Sequence, residues 1–213
     1  HRTESIINKV AQKDFLINLP YQSYDYIILF LREAAIDPGV TEINITLYRL
    51  AENSRVINTL INAAKNGKTV NVLVELKARF DEQANIYWSG KLEEEGVNVN
   101  YGMTDYKVHS KICLIKRMEK GRPVYYANLA TGNFNEKTAG IYSDIGLFTS
   151  NPVMNKELKE MFLYLYTGKK PAPFQHLLVS QFNIIDAFKQ LIQNEIAIVR
   201  SGGQAKIIIK LNK

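Results

Sequence analysis

An α/β layer architecture is predicted by three observations. Apolar runs of strand length, "INITL" and "VNVLV" among them, alternate with helix-length segments whose apolar residues recur at helical spacing. Those helical segments stop near Gly or Pro. Of the 213 residues 46% are hydrophobic and 23% charged, enough apolar material for one large core.

The elements follow in order. "YDYIILFLREAAID" (residues 24–37) reads as an amphipathic helix that ends before Pro38, and "TEINITLYRL" (41–50) as a strand. "SRVINTLINAAKNG" (54–67) is a second helix closed by Gly67. "TVNVLVELKARF" (69–80) is a strand whose first half is buried-core material. "DEQANIYWSGKLEEEG" (81–96) opens with Asp81 and Glu82, which suit a helix N-terminus, and ends at Gly96; Trp88 on it reads as core. Strands are predicted over 97–102, 110–118 and 123–130, and a turn at Thr131, Gly132 and Asn133. A helix over 155–166 runs into the connection "TGKKPAP", and another over 184–199 stops at "SGGQ". The final "AKIIIKLNK" is strand-like and needs a partner sheet.

Composition narrows the function. Net charge is +6, and the excess is local: between Lys107 and Arg122 six basic residues face one acid, Glu119. Such a concentration points to an anionic ligand. The single Cys113, inside "ICLI", excludes an internal disulfide framework and an all-cysteine metal site; it reads as a buried thiol in a cytoplasmic protein. No apolar run approaches the ~18 residues of a membrane span. The start on His1 without Met reads as a piece of something longer.

Charge enters where strands leave the core. Tyr48 and Arg49 follow the apolar run of one strand, and Glu75, Lys77, Arg79 and Asp81 fall two apart after another, on one face if that strand continues. Ligands of open α/β sheets collect beyond such carboxyl ends, and the planar guanidinium fork suits phosphate. His109 and Lys111, also two apart, share a face, while Ile112 and Leu114 turn away. A neutral imidazole there can attack phosphorus while the ammonium neutralises non-bridging oxygens. A basic surface strand is the plainer alternative for that stretch, a solvated strand end for each arginine, and an ordinary loop for "TGN". Backbone N–H groups and short polar side chains of the Thr131–Asn133 turn can also reach an anion, and no Walker-type glycine loop is present, consistent with a phosphate grip built from side chains.

"HSK" followed by the Gly132–Asn133 turn resembles one half of the phospholipase D superfamily signature. Hydrolytic members carry aspartate where Lys116 stands here, so the diesterase signature is incomplete. "INITLYRLAENSRVINTLINAAKNGKTVNVLVELKARFDEQANI", "YKVHSKICLIKR" and "TGNFNEKTAGIYSDIGLFT" together resemble the phosphohistidine-using polyphosphate kinase family, a branch of that superfamily. The resemblance implies a phospholipase D-like mixed sheet flanked by helices on both faces. It implies reversible transfer of the γ-phosphoryl group of ATP to polyphosphate, with this chain as the first half of the active site. By that resemblance His109 is the residue phosphorylated, and Lys111 and Asn133 are phosphate-binding. Arg49 and Arg79 belong to the magnesium–phosphate site; because guanidinium has no lone pair for a metal, they grip the phosphates that carry Mg²⁺. Tyr142 contacts the nucleotide. The implied partners are ATP and ADP, inorganic polyphosphate and the remaining domains of a full-length homo-oligomeric enzyme, with no specific nucleic acid. The implied location is cytoplasmic or peripheral at the membrane. His176 is a helix or loop histidine.

The expected organisation is a lead-in over 1–20, the catalytic domain over 21–200, and the start of a following domain or a terminal strand over 201–213. The fragment alone is expected to be inactive or feeble. Two alternatives stand beside this reading: a dimeric phosphodiesterase or nuclease, and a non-catalytic polyanion-binding module.

Overall fold

The computed structural model describes residues 4–51, 53–75, 82–103 and 106–209. It divides into two compact units, His1–Lys170 and Pro171–Lys213. Seven strands of the first unit form one sheet: β1 (Phe15–Leu19), β2 (Val40–Leu47), β3 (Thr69–Val74), β4 (Asn98–Asn100), β5 (Lys111–Glu119), β6 (Arg122–Ala130) and β7 (Asp144–Thr149). Their order is β1-β7-β6-β5-β2-β3-β4. The β2–β3 and β3–β4 pairs are parallel and the rest antiparallel, so the sheet is mixed.

Period-two alternation sends β2 side chains to opposite faces. Ile43, Ile45 and Leu47 join Val72, Val74, Cys113 and Ile115 in a core shared with helices α2 (Asp25–Ile36) and α3 (Arg55–Lys65). Full burial of each such side chain is worth roughly 1.5–3 kcal/mol. On the other face Asn44 accepts a hydrogen bond from Tyr166 Oη of α6 (Pro152–Thr167) at 3.3 Å. Helices therefore cover both faces, as expected. Helix ends follow capping chemistry: Ser54 Oγ accepts from Ile57 N ahead of α3, Asn151 and Pro152 open α6, and Gly168 closes it in the left-handed region at φ 71°. The β5–β6 hairpin turns on Lys120 and Gly121, both at positive φ.

The lead-in holds α1 (Ile6–Gln12) and β1, which pairs with β7 and stacks Phe15 on Phe148 at 4.8 Å. Neither strand was predicted, because "FLINL" and "DIGLFT" are short and each needs the other as its partner. β2 stops at Leu47, short of the predicted 50; β3 runs to Val74, and residues 76–80 of that predicted strand lie outside the described residues. α4 (Glu82–Glu94) follows.

In the second unit, α7 (Ile184–Arg200) is preceded by a turn tied by Asn183, whose Nδ2 donates to the carbonyls of Phe174 and Leu177. Residues 205–209 of the strand-like run form no strand, and 210–213 lie outside the described residues. His176 is exposed in the irregular segment before α7. Among the described residues no helix is long and apolar enough to cross a membrane.

Candidate active site

The parallel strands β2 and β3 end side by side, Glu75 N donating to Leu47 O at 3.0 Å. The chain then bends, and its carbonyls need partners away from the ladder. Asn85 of α4 supplies one amide group for two of them, Nδ2 donating to Tyr48 O and to Glu75 O at 3.0 Å each. Trp88 Nε1 donates to Ala51 O at 3.1 Å, and Asn135 Nδ2 to Arg49 O at 3.3 Å. Asn135 also caps the short helix α5 (Glu136–Ala139), and Glu136 Oε1 accepts from Arg55 N at the start of α3. Arg49 thus leaves a turn held by three side chains from two other segments.

The histidine segment is pinned against those strand tips. Buried Glu75 accepts from Val108 N at 2.9 Å, and Thr46 Oγ1 donates to Ser110 O at 2.7 Å. His109 lies between these two anchors, outside β5, with its side chain exposed. Its ring meets Tyr48 edge-to-face at 4.7 Å and 83°. Three cations share the same Tyr48 ring: Lys111 Nζ at 5.0 Å, Lys107 Nζ at 5.4 Å and Arg49 Cζ at 5.9 Å from its centroid. Lys111 Nζ also donates to His109 O.

The electrostatics follow from this crowding. Desolvation, and then Lys111, Lys107 and Arg49, hold the His109 imidazolium below its ordinary range and favour the neutral ring. Burial pulls Lys111 down to about 8, with Asp144 opposing and Arg49 reinforcing. Asp144 reaches this place through the "TGN" turn, where Thr131 Oγ1 donates to its Oδ1 at 2.8 Å. Gly132 is required there because a Cβ would collide with the Asp144 carboxylate. Asn133 Oδ1 and Ser110 Oγ are buried without a hydrogen-bond partner among the described residues.

The structure therefore brings His109, Lys111 and Arg49 together on one aromatic ring. Arg79, with Lys77 and Asp81, lies outside the described residues. Asn133 stands in the turn beside Asp144's anchor, and Tyr142 is 61% exposed two residues before Asp144.

The basic stretch is not one patch. β5 carries Lys116 and Arg117 about 17–20 Å beyond Lys111. There Lys116 faces Glu42 at 4.0 Å and Arg117 pairs with Asp37 and Glu119 at 2.9 Å each.

Sequence reasoning missed Thr46, Asn85, Asn135 and Asp144, and gave Tyr48 no role. "NFNE" carried a findable signal for Asn135, an Asn–Glu pair at a helix start. Among the described residues no group of three or more His, Cys, Asp or Glu side chains forms a cation site. Glu75 and Asp144 are engaged by Val108 and Thr131. The described side chains gathered around His109 are cationic and do not form the oxygen-rich set a directly bound Mg²⁺ requires.

Residues 5–171 match the family model for polyphosphate kinase C-terminal domain 1. The chain belongs to the polyphosphate kinase family. It is 44% identical over 203 residues to the polyphosphate kinase of Vibrio parahaemolyticus, covering 95% of this chain and 29% of that protein. Against the polyphosphate kinase of Escherichia coli K12 the figures are 41% identity, 95% and 30%. The chain thus spans about three tenths of the length of these relatives. The crystal structure of polyphosphate kinase from Porphyromonas gingivalis superposes with a TM-score of 0.85 at 44% identity, covering 94% of this chain and 34% of that one. The phospholipase D family member Nuc from Salmonella typhimurium superposes at 0.57 with 15% identity, over 75% of this chain and 97% of that one, a likeness of fold.

Proposed function

We propose that this polyphosphate kinase domain supplies the first half of a site that moves the γ-phosphoryl group of MgATP to polyphosphate through phosphorylated His109. The observation that carries the reading is an exposed imidazole, favoured neutral, in contact with a ring that also gathers Arg49, Lys107 and Lys111.

In the first step an imidazole nitrogen attacks the γ-phosphorus, the N–P bond forms, and the bond to the ADP oxygen breaks with its electron pair. In the second a terminal oxygen of the polymer attacks the same phosphorus and the ring nitrogen leaves. Chemistry of this kind is governed by positioning and charge stabilisation. The anchors on Val108 and Ser110 fix the backbone on either side of His109, so the ring has little left to order. Lys111 and Arg49 neutralise charge on the transferring group, with Arg79 assigned the same task. Asn133, with an unbonded buried oxygen in the turn, orders the phosphate pocket, and Tyr142 borders the nucleotide base. Mg²⁺ enters with ATP as part of the substrate.

Incubating the full-length enzyme with γ-labelled ATP tests the reading. Acid-labile, base-stable label on the His109 peptide is expected, and its loss in His109→Gln. Label elsewhere, or turnover that persists in His109→Gln, refutes it.

A further inference from the structure

Among the described residues, the Tyr48 ring gathers the imidazole and three cations around it. Tyr48 is 9% exposed and its backbone carbonyl is held by Asn85, which together restrict its movement. Arg49, Lys107 and Lys111 carry like charges in a small volume and repel one another. An aromatic face carries the negative end of its quadrupole toward them, and attracts cations at the observed 5.0, 5.4 and 5.9 Å. The same ring meets His109 at 83°, a preferred aromatic geometry that limits rotation of the imidazole.

We infer that Tyr48 is a positioning residue that racks Arg49, Lys107 and Lys111 around a fixed His109 ring, ready to transfer onto an arriving polyphosphate or nucleotide phosphate. The inference rests on the reading of His109 as the phosphorylated residue. A ring face attracts cations more weakly than a phosphate does, so it releases them when the substrate binds. A tyrosine that only filled space would work equally well with any ring of the same shape.

That difference is testable in the full-length enzyme by three replacements: Tyr48→Phe, Tyr48→Leu, and a trifluorinated phenylalanine installed at position 48. The fluorinated ring keeps the shape and removes most of the negative face. Two quantities are read. One is the single-turnover rate of phosphoenzyme formation from MgATP. The other is the pH midpoint of His109 carbethoxylation by diethyl pyrocarbonate, followed on its own peptide by mass spectrometry.

Among the described residues the charged groups around that ring are Arg49 past β2, Lys107 and Lys111 on its own segment, Glu75 just past β3 on Val108 N, and Asp144 from β7 beside Lys111. When the cations withdraw, their repulsion on the imidazolium falls and the midpoint rises. Tyr48→Leu and the fluorinated ring are expected to slow phosphoenzyme formation by about tenfold and to raise the midpoint, and Tyr48→Phe to restore most of both. Should Tyr48→Leu fold poorly, the fluorinated ring decides. Wild-type rate and midpoint with the fluorinated ring overturn the inference. Absence of phosphohistidine in the wild type overturns the functional reading instead, while the midpoint still reports whether Tyr48 sets the charge around His109.

Discussion

His109 is a nucleophile candidate only while neutral, and its surroundings set where that holds. Its folded-state pKa is depressed by desolvation and by Lys111, Lys107 and Arg49, so the neutral form persists to lower pH than in a free histidine. Lys111 loses its charge as pH rises through about 8. The kcat/KM for phosphoenzyme formation is therefore expected to be bell-shaped, with its acid limb below the usual histidine range and its alkaline limb near 8. An acid limb at or above the ordinary histidine value would contradict this arrangement. Gly132 gives a second test. In Gly132→Ala the new Cβ displaces Asp144, and Lys111 loses the carboxylate that supports its charge. The alkaline limb should move down in pH, with a melting loss of about 1–3 kcal/mol from overpacking; unchanged limb and stability would show that Asp144 has no hold on Lys111. His109, Lys111 and Arg49 were singled out from residue type and spacing, and the structure brings those three together; the roles given to them and to Asn133 came from the family resemblance. Asp144 was not singled out, because nothing local relates it to Lys111 33 residues earlier.

Strand tips and the side chains that tie them decide whether those residues meet. Asn85 is wholly buried and serves two carbonyls, Tyr48 O and Glu75 O. Asn85→Ala leaves both buried without donors, and a loss of about 2–4 kcal/mol is expected in denaturant unfolding, together with slower phosphoenzyme formation. A loss under about 0.5 kcal/mol would show that water replaces the amide. Lys116 has a different place: its partner across β2–β5 is Glu42, far along the strand from His109. Lys116→Asp sets two carboxylates opposite each other, so a stability loss of about 0.2–1 kcal/mol and no gain of diesterase activity are expected. Diesterase activity in that variant would show that the strand position alone carries the hydrolytic signature. Strands β2, β3, β5 and β6 could be read from apolar runs and turn residues. β1 and β7 could not, since an edge pair of five and six residues is defined by mutual pairing rather than by its own composition.

At the scale of the whole molecule, the described residues place one histidine, two lysines and an arginine at a single end of a mixed sheet. The chain corresponds to about three tenths of each relative, so on the proposed reading the other half of the site comes from beyond these residues. The 213-residue chain by itself is expected to show no sustained polymer synthesis from ATP; steady synthesis by it alone would refute the half-site reading. The sequence by itself determined the α/β class, the central strands, the family and the identity of the candidate nucleophile, because each is written in local pattern or contiguous motif. Only the tertiary structure decided that Tyr48 is the common neighbour, that Glu75, Thr46, Asn85 and Asn135 hold the backbone, and that the basic run splits between two ends of β5. Those facts depend on which distant segments touch once the sheet closes and buried polar groups must find partners, a choice no local pattern encodes.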